Sequence, residues 1–320
     1  MKKKLLCLLL AVLMLITVAA AAEKPKTSVD TFRRCSLTLQ YAASGQTVRL
    51  YRVARISHSG NYTLQGVFAG YGIHLPAGNS QAEWDALRDT LHAYILADAI
   101  APDYTATTGT DGKAVFSGLP VGMYLVNGVD MEVGSEVYQY AAALLSVPGA
   151  DTLGGWTYDV AAAPKHTAKP AGGGGTVTPV TYTVVKLWAN EKNTKNRPAS
   201  VEITIYKNGI EQEKQLLSSA NDWKYQWTAT DGTWSVLERT VPKDYTVTVQ
   251  RSGSSFFVTN TKNSSAPIPL IPTTPDPGPD IRPNTGDESH LMLYIILMAG
   301  SGLALLLIGV MNRKQNHETE

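Results

Sequence analysis

Two stretches rich in glycine or proline limit what this chain can fold into. Residues 166–180 contain Gly172-Gly173-Gly174-Gly175, and residues 264–281 carry Pro267, Pro269, Pro272, Pro275, Pro277 and Pro279. A glycine run makes a flexible linker, whereas spaced prolines favour an extended, semi-rigid stalk. Compact structure is left to two segments, 30–165 and 181–263, each of ordinary single-domain length. The chain ends are apolar. Lys2-Lys3-Lys4, the run Leu5 to Val18 and Ala20-Ala21-Ala22 have the charged, apolar and small-residue regions of a secretory signal peptide, residues 1–22, with cleavage expected after Ala22. Residues 291–311 form an apolar run of about 20 residues, enough to cross roughly 30 Å of hydrocarbon as a helix. Arg313-Lys314 after it favour a cytoplasmic C-terminus.

Export would remove Cys7 with the signal peptide and leave Cys35 as the single cysteine. An internal disulfide is then excluded, and an extracellular chain needs another brace. A net charge of +1 with 17% charged residues leaves no basic patch, which argues against nucleic acid. His58, His74, His92, His166 and His290 show no metal-ligand spacing with one another or with a cysteine, so neither a metal nor another cofactor is expected. Cys35 sits between Arg33-Arg34 and a strand-like segment and reads as a packing residue. Nothing in the chain points to an enzyme.

The fold class read from these patterns is mainly β: two Ig-like β-sandwich domains in tandem, the first with an inserted helix. Ser36-Leu37-Thr38-Leu39, residues Val48 to Val53 and Met123-Tyr124-Leu125-Val126 alternate as strands with one buried face. Ser80, with Glu83 three residues on, caps a stretch in which Trp84, Leu87, Leu91, Tyr94 and Ile95 recur at helical spacing. Thr110-Asp111-Gly112-Lys113 is a turn. In the second segment, Val184, Lys186 and Trp188 share one face of a first strand, and Phe256, Val258 and Asn260 share one face of a last strand. Asn208-Gly209 marks a hairpin. A lysine and an asparagine therefore occupy phases that should be apolar.

Three resemblances sharpen this reading. Arg282-Pro283-Asn284-Thr285-Gly286, the apolar run and the basic tail together resemble the sorting signal of Gram-positive cell-wall proteins, with Arg282 where an apolar residue is usual. The resemblance implies cleavage by a sortase between Thr285 and Gly286, with Thr285 as acyl donor to peptidoglycan or to another subunit. Gly118-Leu119-Pro120-Val121-Gly122-Met123-Tyr124, then Trp156-Thr157-Tyr158-Asp159-Val160 and Pro164-Lys165, resemble the N-terminal domain of sortase-assembled pilins. It implies that Lys165 is the acceptor amine joining subunits. Ala163 and His166 depart from that pattern, and a solvated Lys165 entering the linker, with Lys169 as substitute acceptor, stays open.

The order Val184 to Trp188, Arg197 to Val201, Ile205 to Gly209, Trp223-Lys224-Tyr225, Glu238 to Tyr245 and Val258 to Thr261 resembles a collagen-adhesin B-type (Cna B) domain. That resemblance implies an intramolecular isopeptide bond between Lys186 and Asn260, catalysed by Glu238. Asn263, Glu202 and Asp244 are weaker substitutes for these partners. No lysine lies between Lys26 and Lys113, so no such bond is expected in the first domain. The function implied is a wall-anchored pilin subunit, shaft or basal, supporting attachment outside the cell. The alternative is a monomeric wall-anchored adhesin for a host or matrix ligand. Membrane contact is expected through the C-terminal helix before sorting.

Overall fold

The structure, a computed structural model, describes residues 27–151, 153–171, 178–191, 194–230 and 232–263, all of which fall in one compact unit. The expected signal peptide, the glycine run, the stalk, the sorting signal with Thr285 and Gly286, and the span 291–311 lie outside the described residues. No helix among those described is long and apolar enough to cross a membrane.

Strands dominate, with one α-helix among the described residues. The N-terminal module runs β1 (Cys35–Gln40), β2 (Thr47–Ile56), β3 (Tyr62–Leu64), helix α1 (Gln81–Ala97), β4 (Tyr104–Thr107), β5 (Lys113–Leu119) and β6 (Gly122–Gly128). It continues with β7 (Met131–Val133), β8 (Glu136–Tyr140), β9 (Ala143–Val147), β10 (Gly149–Ala150), β11 (Trp156–Thr157), β12 (Asp159–Ala162) and β13 (His166–Pro170). The sheet β12-β1-β5 faces the sheet β3-β2-β6-β9, with β4 paired to β2. Leu37, Leu39, Val48, Leu50, Phe116, Tyr124 and Val126 fill the space between them.

Helix α1 starts where expected, with the Ser80 hydroxyl accepting the Glu83 amide. It covers the outer face of β2 and β6, so that Leu87, Leu91, Tyr94 and Ile95 pack on Tyr51, Val53, Met123 and Leu125. The expectation of one buried face for residues 123–126 is thereby corrected. Every residue from Gly122 to Val126 in β6 is buried, because a second layer covers the side that alternation leaves undetermined.

The C-terminal module runs β14 (Val180–Ala189), β15 (Ser200–Lys207), β16 (Ile210–Ser218), β17 (Lys224–Ala229), β18 (Trp234–Leu237), β19 (Tyr245–Ser252) and β20 (Ser255–Lys262). The sheets β17-β14-β20-β19 and β16-β15-β18 enclose Tyr182, Val184, Val201, Ile203, Ile205, Trp234, Val236, Phe256 and Val258. First and last strands, β14 and β20, are parallel neighbours, with Lys186 opposite Val258 and Trp188 opposite Asn260. Asn208 and Gly209 both take positive φ, 53° and 78°, in the β15–β16 turn, as a two-residue hairpin of that type requires.

The linker expected from residue 166 begins later, since His166–Pro170 is a strand paired antiparallel to β8. The modules are also docked. Leu237 and Tyr206 of the second join the apolar cluster beneath α1. Strand β19 would otherwise be a sheet edge with unpaired backbone groups. Instead the Val247 amide donates to the Gly72 carbonyl (2.9 Å), the His74 amide donates to the Val247 carbonyl (3.0 Å), the Val249 amide donates to the Thr90 hydroxyl (2.7 Å), and the Arg251 amide donates to the Asp89 carboxylate (3.0 Å).

Candidate functional site

Alternation in β14 points Tyr182, Val184 and Lys186 inward, and all three are buried. In β20 the same period buries Phe256, Val258 and Asn260. From the facing sheet, Trp234 and Val236 point inward along β18, and Glu238 continues that phase just beyond the strand end. The side chains of Lys186 and Glu238 are both 0% exposed, and Asn260 is 0% exposed. Three polar groups thus meet inside an apolar sandwich, two from neighbouring strands and one from across the core.

Lys186 Nζ lies 3.7 Å from Glu238 Oε2, and it donates to the carbonyls of Leu187 (2.9 Å) and Val258 (3.2 Å). Asn260 Nδ2 donates to Glu238 Oε1 at 2.8 Å. Glu238 Oε2 and Asn260 Oδ1 are buried without hydrogen-bond partners. Leaving such atoms unpaired costs about 1–3 kcal/mol each.

Burial disfavours both charged forms. It pulls the Lys186 ammonium down to about 8, with Glu238 partly offsetting the effect, and it pushes the Glu238 carboxyl up against the pull of Lys186 and the Asn260 hydrogen bond. Both shifts run in the direction of a free amine beside a carboxylic acid, the pairing of nucleophile and proton donor that attack on an amide requires. Catalysis by Glu238 through polarisation of the amide carbonyl would need the opposite hydrogen bond, with Glu238 donating to Asn260 Oδ1. Here the amide NH2 faces the carboxyl, and a half-turn of the near-symmetric amide would present Oδ1 instead.

An aromatic wall closes the site. The Trp188 ring lies 4.3 Å from Lys186 Nζ and makes edge contacts with Trp223 (5.5 Å) and Tyr245 (5.3 Å). The role of Trp223 and Tyr245 was not apparent in the sequence, because the fold brings them to Trp188 from a turn and from β19. The substitutes Asn263, Glu202 and Asp244 are exposed. Glu202 is instead 3.6 Å from Lys214.

In the N-terminal module, Lys165 is exposed between β12 and β13, and its carbonyl accepts the Ala141 amide at 3.2 Å. It lines a cleft of about 690 Å³ between the modules, together with Arg49, His92, Trp234 and Arg251. Lys169 is exposed on β13. The aromatic residues before Lys165 are structural. The Tyr158 hydroxyl accepts the Asp30 amide at 2.7 Å, and the Trp156 indole donates to the Thr27 carbonyl at 2.7 Å. Cys35 is 3% exposed in the inter-sheet core, where burial pushes its thiol up to about 11, away from nucleophilic character. Among the described residues no group of three or more His, Cys, Asp or Glu could hold a metal ion.

Three solved structures illustrate what this chain is similar to. A single B repeat unit (B1) of the collagen binding surface protein Cna of Staphylococcus aureus is 17% identical, with 72% of this chain and 99% of that one covered and a TM-score of 0.25. The full-length major pilin SpaD from Corynebacterium diphtheriae is 16% identical, covering 73% and 65%, with a TM-score of 0.28. The minor pilin GBS52 of Streptococcus agalactiae is 14% identical, covering 78% and 100%, with a TM-score of 0.23. Scores this low support no inference about this chain. No curated protein matches it. The match that bears on the site is a local one: residues 182–261, which hold Lys186, Glu238 and Asn260, match the family model of the Cna protein B-type domain.

Proposed function

We propose that this chain is a cell-wall-anchored pilin subunit of a Gram-positive surface, joined covalently by a sortase and braced internally by an amide between Lys186 and Asn260. The observation that carries the brace is the burial of Lys186, Glu238 and Asn260 together between the first and last strands, in a region matching a Cna B-type domain. The neutral Lys186 amine attacks Asn260 Cγ. With the Asn260 amide turned so that Oδ1 faces it, protonated Glu238 polarises the carbonyl and then donates its proton to the departing nitrogen. The new bond is Nζ–Cγ, the broken bond is Cγ–Nδ2, the proton that Nζ loses returns to Glu238, and ammonia leaves. Fixing the three groups in one core replaces a bimolecular encounter.

Anchoring rests on the terminal sequence signals. Thr285 is the acyl donor after cleavage before Gly286, and Lys165 is the acceptor amine, for which its exposure is suited. Intact-mass measurement of the exported chain tests the brace. The wild type is expected to lie about 17 Da below its sequence mass, and Glu238→Ala to restore the full mass because the proton donor is gone. Full sequence mass in folded wild type would reduce the three residues to a buried polar cluster.

A further inference from the structure

We propose that Tyr94 and Asp98 of the N-terminal module are positioning residues for Glu238, so that the amide forms at full rate only while these two side chains hold the backbone around it. The proposal rests on the cross-linking reading given above. Its basis is the way the Glu238 backbone is held. Strand β18 ends at Leu237, so Glu238 lies just beyond its pairing with β15. Leu237, Glu238 and Arg239 then alternate in direction. Leu237 is buried in the cluster under α1, Glu238 points into the sandwich, and Arg239 turns back to the N-terminal module.

Both outward neighbours and the Glu238 carbonyl itself are gripped by that module. The Tyr94 hydroxyl donates to the Glu238 carbonyl at 3.3 Å. Arg239 makes two hydrogen bonds to Asp98, Nη2 to Oδ1 at 2.7 Å and Nη1 to Oδ2 at 3.0 Å, a paired geometry that fixes orientation as well as distance. Arg239 Nε also donates to the Tyr206 hydroxyl at 2.9 Å, and the guanidinium lies 5.4 Å from the Tyr94 ring centre and 5.3 Å from that of Tyr206. Asp98 is held from behind by the Tyr71 hydroxyl at 2.6 Å, and Tyr71 stacks on Tyr94 at 4.0 Å. A residue clamped on both sides has its side-chain direction set. Glu238 must place one carboxyl against Lys186 and Asn260 at once, and a misplacement of about 1 Å can cost about 100-fold in such a reaction.

The interface also supplies its own control. Thr90 and Asp89 hold β19 in the same docked arrangement through hydrogen bonds to Val249 and Arg251. In cells making the full chain, newly synthesised protein is pulse-labelled and sampled over a chase, and the fraction carrying the Lys186–Asn260 link is read by peptide mass. The double variant Tyr94→Phe/Asp98→Asn is expected to slow linkage by about tenfold or more, and Tyr94→Phe alone, which keeps the ring stack, by about threefold. Tyr94→Phe/Asp98→Glu, which restores the carboxylate, should recover most of the rate that the double variant loses, and Thr90→Val should stay within about twofold of wild type.

Wild-type rates in Tyr94→Phe and in Tyr94→Phe/Asp98→Asn would overturn the proposal while leaving the cross-link itself standing. Equal slowing by Thr90→Val, or no recovery with glutamate, would also overturn it, since either would mark a general loosening of the interface. A wild-type chain that never loses ammonia would remove the cross-linking reading and this proposal together.

Discussion

A lysine with no exposed side-chain surface carries a penalty that depends on pH, and Lys186 makes that dependence measurable. Its ammonium is pulled down to about 8 by burial even with Glu238 beside it, so replacing Glu238 with a neutral glutamine removes the offset and lowers it further. In Glu238→Gln the unfolded chain keeps the lysine proton up to the ordinary range near 10.5, whereas the folded chain has already released it. The unfolded state then binds more protons, and stability must rise with pH across that window. Glu238→Gln should therefore be less stable than Lys186→Met/Glu238→Gln at pH 7, and the gap should narrow by about 1–3 kcal/mol by pH 9. Chemical denaturation of both variants at several pH values checks this. A constant gap would mean that the Lys186 amine reaches solvent in the folded chain. The inward phase of Lys186 and Asn260 was legible in the sequence because a strand has a period of two. The geometry around Glu238 was not, because the clamp on it comes from Tyr94 and Asp98, more than a hundred residues away in the chain.

At the level of elements, the β15–β16 hairpin is seated on helix α1. A Cβ at Gly209 would fall on the carbonyl of Leu96, near the helix C-terminus, and its φ of +78° is one that side chains rarely adopt. Gly209→Ala should destabilise the chain by about 2 kcal/mol or more, seen as a lower denaturation midpoint, because backbone strain and the clash add. A change below about 0.5 kcal/mol would mean that the hairpin does not approach the helix this closely. The turn itself, helix α1 with its Ser80 cap, and strands β1, β2 and β14 were readable locally, since each is announced by neighbouring residues. Strand β13 was not. Its five residues are all exposed and show no apolar alternation, and only the distant edge of β8 makes them a strand. The same limit hid the second layer over β6, because periodicity reports a strand's faces and not what will cover them.

For the molecule as a whole, the docking of the modules changes how Lys165 is presented. Lys165 lies on a cleft that both modules line, and not at the start of a free linker. If it accepts the Thr285 acyl group, Lys165→Ala should abolish any high-mass series that survives boiling on denaturing gels. A persisting series would move the linkage elsewhere, with the exposed Lys169 nearest, or make this chain a terminal component. The parallel pairing of β14 with β20 has a mechanical side. The chain enters the C-terminal module at the start of β14 and leaves at the end of β20, at opposite ends of two adjacent strands. Tension applied to the two ends of the chain loads that ladder in shear, so its rungs resist together and do not unzip one after another. With an amide joining Lys186 to Asn260, tension would cross from one strand to the other at that point, and residues 187–259 would lie off the load path altogether. Under load such a module would keep its length, and any stretch would be left to the segments that flank it.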